Sequence, residues 1–121
     1  MEAAAIEAEI TLLATADGGR TSELHLDHPT ARYRPHVVVG DPHQRKAIIG
    51  AEGVVSEEYL GVQFRRTDSR LMPGDSAKVW LELMYYPDLD YRQLIPEATF
   101  TIREGAKVVG FGKVIQRMDA I

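Results

Sequence analysis

Cysteine is absent from the 121-residue chain. That excludes a disulfide framework, a thiolate nucleophile and a cysteine-ligated zinc site. Long apolar runs are missing too: no segment approaches the ~20 uninterrupted apolar residues of a membrane-spanning helix. The opening Met1–Ile10 is acidic and alanine-rich, without the basic leader and apolar run of a secretory signal. These absences together lead to the expectation of a protein of the reducing cytoplasm. An excess of positive charge is also lacking. Lys and Arg number 14 against 18 Asp and Glu, for a net charge of −4, and this lowers the expectation of a surface built around nucleic-acid phosphates. No Gly-x-x-x-x-Gly-Lys-Ser/Thr loop occurs, so no nucleotide site is expected. There is no internal repeat, low-complexity tract or interdomain linker. The whole span 1–121 is expected to form one domain, long enough to bury roughly two thirds of its unfolded surface without a staple.

What is present is β-patterning. Ile6–Ala14 alternates so that Ile6, Ala8, Ile10 and Leu12 share one strand face, and Asp17-Gly18-Gly19 then supplies a turn. Residues 20–31 read as a polar loop. Arg34–Val39 is β-branched, with Pro35 near its start, and Gly40-Asp41-Pro42 ends it. Arg45–Val55 is expected as a strand or hairpin interrupted at Gly50 and Gly53, and Tyr59–Phe64 as a further short strand. Met72-Pro73-Gly74-Asp75 has the residues of a type II turn: proline presets φ and glycine accepts the left-handed position. In Ala77–Tyr86, Ala77, Val79, Leu81, Leu83 and Tyr85 share one face, and Lys78, Trp80, Glu82, Met84 and Tyr86 the other. Glu97–Arg103 and Lys107–Arg117 form a hairpin across Glu104-Gly105-Ala106, with Phe100 and Ile102 facing inward. Gly110 and Gly112, two apart, mark a bend or a close backbone approach. Six or seven short strands with regular turns imply a closed barrel or a sandwich.

Several blocks in order carry a family likeness. They are Glu7-Ala8-Glu9-Ile10, Gly18-Gly19-Arg20, Tyr33-Arg34-Pro35, Met72-Pro73-Gly74-Asp75, and Phe100-Thr101-Ile102-Arg103-Glu104-Gly105 followed by Val109-Gly110-Phe111-Gly112. Over about residues 7–116 the chain resembles the C-terminal, third domain of elongation factor Tu, here as a free-standing unit. The resemblance implies an all-β fold, a six-stranded antiparallel closed barrel, with residues 40–58 as an expanded loop or hairpin. In that family the barrel meets the T-stem of aminoacyl-tRNA, the GTPase domain and the exchange factor. The resemblance therefore implies RNA contacts at Arg20, after the double glycine, and at Gly105, whose backbone would pack on the stem. The chain also departs from the pattern. Tyr86 stands where a basic residue or histidine precedes the strand-ending proline. His36 and Thr101 replace a glutamine and an alanine that face the GTPase domain. GTP hydrolysis belongs to a separate nucleotide-binding domain and does not carry over.

Two functional readings follow. The first is a non-catalytic module engaging a protein partner, translation-related by the resemblance. Its candidate contacts are Trp80, Tyr86 and Tyr91, because exposed aromatics anchor interfaces, together with His36 and Thr101. Either Trp80 looks outward from the barrel wall or it caps a barrel end. The alternative is an accessory domain for tRNA or other RNA, using Arg20, Gly105 and the basic pair Arg65 and Arg66. No cofactor is implied. His25-Leu26-Asp27-His28 sits in an expected loop, where its histidines read as solvated rather than as metal ligands. Glu57-Glu58 and Asp88 with Asp90 likewise read as solvated charge, and no Ser/His/Asp grouping suggests an enzyme.

Overall fold

The computed structural model describes residues 4–27, 32–50, 57–65, 67 and 70–119. Eight strands form: β1 (Ala5–Leu12), β2 (Leu24–His25), β3 (His36–Val39), β4 (Leu60–Phe64), β5 (Arg70–Leu71), β6 (Ser76–Leu83), β7 (Thr99–Glu104) and β8 (Lys107–Met118). Six of them close into an antiparallel barrel in the order β1-β6-β4-β3-β7-β8, with β8 returning to β1. The remaining two, β2 and β5, pair separately through Leu24–Leu71 and His25–Arg70. The fold is all-β; among the described residues the helical content is one 3-10 turn, Thr15–Asp17.

The alternation expected from the sequence sets the inside of the barrel. Ile6, Ala8, Ile10 and Leu12 of β1 point inward, as do Val79, Leu81 and Leu83 of β6 and Phe100 and Ile102 of β7; all are buried in one apolar cluster with Val62, Phe64 and Val114. The interior is therefore filled by side chains, as a six-stranded barrel requires. Gly110 and Gly112 sit where β8 crosses close to β1. A methyl group on Gly112 would lie 2.7 Å from the Phe100 ring and 2.8 Å from the Glu9 carbonyl oxygen, and one on Gly110 would lie 2.6 Å from the Thr11 carbonyl oxygen. The turn at Met72–Asp75 closes as expected: Gly74 has φ 95°, and the Asp75 N–H donates to the Met72 carbonyl at 2.9 Å.

Three elements differ from the sequence expectation. Among its described residues, Arg45–Gly50 forms no continuous strand but two isolated bridges, Lys46 with Lys107 and one at Ile49; residues 51–55 of the expected strand or hairpin lie outside the described residues. The barrel closes without this segment, so its sheet offers no free edge to extend. Residues 20–31 are not a purely polar loop: Leu24 and Leu26 are buried in the core and Leu24 pairs with β5. The third difference is that β6 ends at Leu83, not Tyr86. A turn over 84–88 holding the cis Tyr86–Pro87 peptide interrupts the alternation.

Candidate interaction surface

The outer face of the barrel divides into an open wall and a covered wall. On the open side, strand periodicity turns Lys78, Trp80 and Glu82 of β6 outward, opposite the buried Val79, Leu81 and Leu83. Trp80 is partly exposed, on the wall rather than at a barrel end. Its neighbour across β1 is Glu7, whose carboxylate accepts a hydrogen bond from Gln116 at 2.8 Å. On the other side the Arg65 guanidinium lies over the indole, 5.6 Å from the ring centroid, and its Nε donates to Glu82 at 3.1 Å. Gln63, opposite Glu82, accepts from Arg34 at 2.7 Å. The result is an aromatic plate held by a cation and framed by both signs of charge. The indole offers a large contact area with few rotamers to freeze, and the guanidinium over it is already held by Glu82.

The two other aromatics expected beside Trp80 are placed elsewhere. Tyr91 is 1% exposed and belongs to the core; its hydroxyl donates to the Gly61 carbonyl at 2.6 Å and accepts the Tyr85 N–H at 3.1 Å. Burial raises its pKa, so the phenol stays a protonated clip between β4 and the turn beyond β6, not a surface anchor. Tyr86, carried off the strand by the turn, packs partly buried against the core, with Arg117 over its ring at 5.9 Å. Tyr91 is not available as an aromatic anchor, and Tyr86 leaves only part of its ring exposed. For Tyr86 the periodicity argument assumed a strand that the turn had already ended.

The residues considered for RNA are engaged within the chain. Arg20 donates to Glu104, which also accepts the Tyr33 hydroxyl at 2.6 Å, and the guanidinium lies 5.3 Å from the Tyr33 ring centre. Burial, then the hydrogen bond to Glu104, pushes the Tyr33 phenol well above its ordinary pKa, so it remains a donor. Gly105, next to Glu104, turns the β7–β8 hairpin with φ 61° and is exposed. Arg20 and Gly105 are thus neighbours through Glu104, but the arginine's charge is matched. Arg65 is likewise matched, by Glu82, and Arg66 lies outside the described residues.

On the covered side, β3 and β7 turn His36, Val38, Thr101 and Arg103 outward, yet Val38, Thr101 and Arg103 are buried. The cover is the chain itself. Glu57 reaches Arg103 through two hydrogen bonds of 2.9 and 3.0 Å, and residues 41–50 lie alongside, bonded to Glu57 through Gln44 and Ile48, with Arg45 5.3 Å from the ring centre of Phe111 on β8. Arg103 also donates to Thr101 at 2.9 Å and to the Tyr59 hydroxyl at 3.1 Å, and Tyr59 packs on His36 with ring centres 5.6 Å apart. Thr101 therefore faces the chain's own ion pair and cannot meet a partner in this state, and His36 is half-covered.

Sequence reasoning missed the pair that does this. Glu57, expected as solvated charge, has 7% of its side chain exposed, and Arg103 has none. The hydrogen bonds from Arg103, helped by those from Ile48 and Gln44, hold the Glu57 carboxyl down at about 2 against the counteracting effect of burial. Burial alone would lower the Arg103 pKa; the contacts with Glu57 and Tyr59 outweigh it and keep the guanidinium charged. A signal did exist. With Phe100 and Ile102 inward, Arg103 had to point outward, a charge on the wall that some other group had to meet.

Between this segment and β3 lies a cleft of about 250 Å³, lined among others by Val38, Ile48, Glu57 and Leu60. Among the described residues no three His, Asp or Glu side chains gather as metal ligands, and no helix is long and apolar enough to cross a membrane. Neither a scan against protein-family models nor a search of curated proteins returns a match to this chain.

Proposed function

We propose that the chain is a non-catalytic binding module, similar to the C-terminal barrel of elongation factor Tu, that engages a protein partner through the open wall centred on Trp80. The observation that carries this reading is the placement of the chain's single tryptophan on the outer face, with Arg65 over the indole and Glu82 orienting the guanidinium. A tryptophan has little structural reason to stand there, since burying it inside would contribute more to stability. The resemblance rests on the ordered sequence blocks, and it supports a translation-related partner.

The test is quantitative capture of partner protein by the purified barrel and by Trp80→Ala. Removal of a central anchor of this kind costs about 2 kcal/mol or more, roughly thirtyfold in affinity. The variant is expected to keep the wild-type unfolding midpoint and to lose the captured species. Equal capture by both proteins would sink the proposal. The matched charges of Arg20 and Arg65 weigh against RNA as the partner. A titration with aminoacyl-tRNA at two salt concentrations separates the two readings, because phosphate binding would be saturable and steeply salt-dependent.

A further inference from the structure

The strap over the β3–β7 wall is held in an unusual way. None of residues 41–50 is buried, and its two large aliphatic side chains, Ile48 and Ile49, are 57% and 52% exposed. Apolar burial therefore contributes little to its docking. Besides the Lys46–Lys107 pairing and Arg45 over the Phe111 ring, its side-chain contacts centre on one carboxylate: Glu57 accepts from the Ile48 N–H at 2.8 Å, from the Gln44 amide at 2.8 Å and from both terminal nitrogens of Arg103. The strap's first residues are joined to the barrel by a short exchange with β7, in which the Gly40 N–H donates to the Thr99 carbonyl at 3.0 Å and the Thr99 hydroxyl donates to the Gly40 carbonyl at 2.8 Å. A segment with few buried apolar contacts and few polar attachments belongs to the low-stability end of a fold.

We infer that residues 41–50 are a displaceable cover, latched by Glu57 on Arg103, that lifts from the β3–β7 wall while the barrel stays closed. The barrel does not depend on the strap for strand pairing, since all six of its seams are made by other residues. Closed, Glu57, which also takes hydrogen bonds from the strap's Ile48 and Gln44, sits on the buried Arg103 beside Thr101, while Gln44 and Ile48 stand across the cleft from Val38. Open, it presents a wall with a fork of guanidinium donors beside a threonine hydroxyl, which is the chemistry that receives a carboxylate in two-point geometry. The Glu57 side chain is then the resident occupant of a carboxylate receptor, and the contact is autoinhibitory for that wall. This surface is separate from the Trp80 wall, and the inference stands whether or not that wall binds a protein.

Amide hydrogen exchange tests it on the intact chain. In the wild type, exchange at Ile48 is expected to be nearly independent of low denaturant, while amides of β1 and β8 exchange through global unfolding with a steep dependence. The Glu57→Gln variant leaves Arg103 buried without a counter-charge, and its Ile48 amide is expected to exchange on the order of a hundredfold faster, with β1 and β8 unchanged. Acetate added to Glu57→Ala is expected to occupy the vacated fork and slow the exchange of the β3 and β7 amides beneath it. The inference is overturned if Ile48 follows the global denaturant slope in the wild type. It is equally overturned if Glu57→Gln leaves strap exchange unchanged, or if it unfolds the barrel as a whole.

Discussion

A methyl group on Gly112 would press on the Phe100 ring and on the Glu9 carbonyl at once, at 2.7 and 2.8 Å. The ring belongs to a filled core and the carbonyl to a strand paired on both sides, so neither moves without cost. Gly112→Ala is expected to destabilise the protein by about 1–3 kcal/mol, as overpacking in a core does. Urea unfolding followed by circular dichroism would check this, and a variant of wild-type stability would mean that β8 has slack. This requirement was legible in the sequence, because two glycines at strand spacing in an otherwise β-branched run need a steric reason. The role of Tyr91 was not legible. Nothing local to Asp90-Tyr91-Arg92 indicates that the hydroxyl meets Gly61, since that contact depends on how the turn beyond β6 folds back.

The elements that repeat with period two were the readable ones: β1, β6 and the β7–β8 hairpin appear where alternation placed them, within a residue or two at most boundaries and three at the end of β6. Leu24 and Leu71 were missed because strands of two residues are too short to show a period, and Leu26 because it lies in the turn just beyond one. Over Arg45–Gly50 the expected strand is reduced to isolated bridges: its β-branched content suits a strand, but a continuous ladder on the barrel needs an open edge, and local propensity carries no information about edges. The strap's anchoring also has a pH signature. The Glu57 carboxyl, bonded by Arg103, the Ile48 N–H and Gln44, is lowered from its ordinary 4.5 to about 2. A lowered carboxylate contributes stability that is complete above about pH 4.5 and is lost as pH falls through about 2. Unfolding midpoints of the wild type and Glu57→Gln are therefore expected to differ by a constant amount near neutrality and to converge between those two values. A difference that stays constant into strong acid would show that the carboxylate is not the anchor.

Across the whole molecule, strand count and barrel closure were anticipated, but the order β1-β6-β4-β3-β7-β8 was not. Periodicity shows which residues face inward and leaves open which strand lies beside which. β1 carries much of the closure, pairing with β6 over Ala5–Thr11 and with β8 over Ala5–Leu12. Deleting Ala4–Leu12 is expected to expose two unsatisfied edges and half of an apolar core. Cooperative unfolding should vanish and light scattering should rise with protein concentration; a monomeric, cooperatively folded deletion variant would contradict that. The same seam sets Ala5 directly opposite Met118, so the two ends of the described chain run side by side, as close as paired strands lie. The threading of the strands is therefore separable from their pairing. A short linker could join the ends there, a cut in the exposed turn between Glu104 and Lys107 could supply new ones, and the reordered gene would specify the same closed ring of six strands.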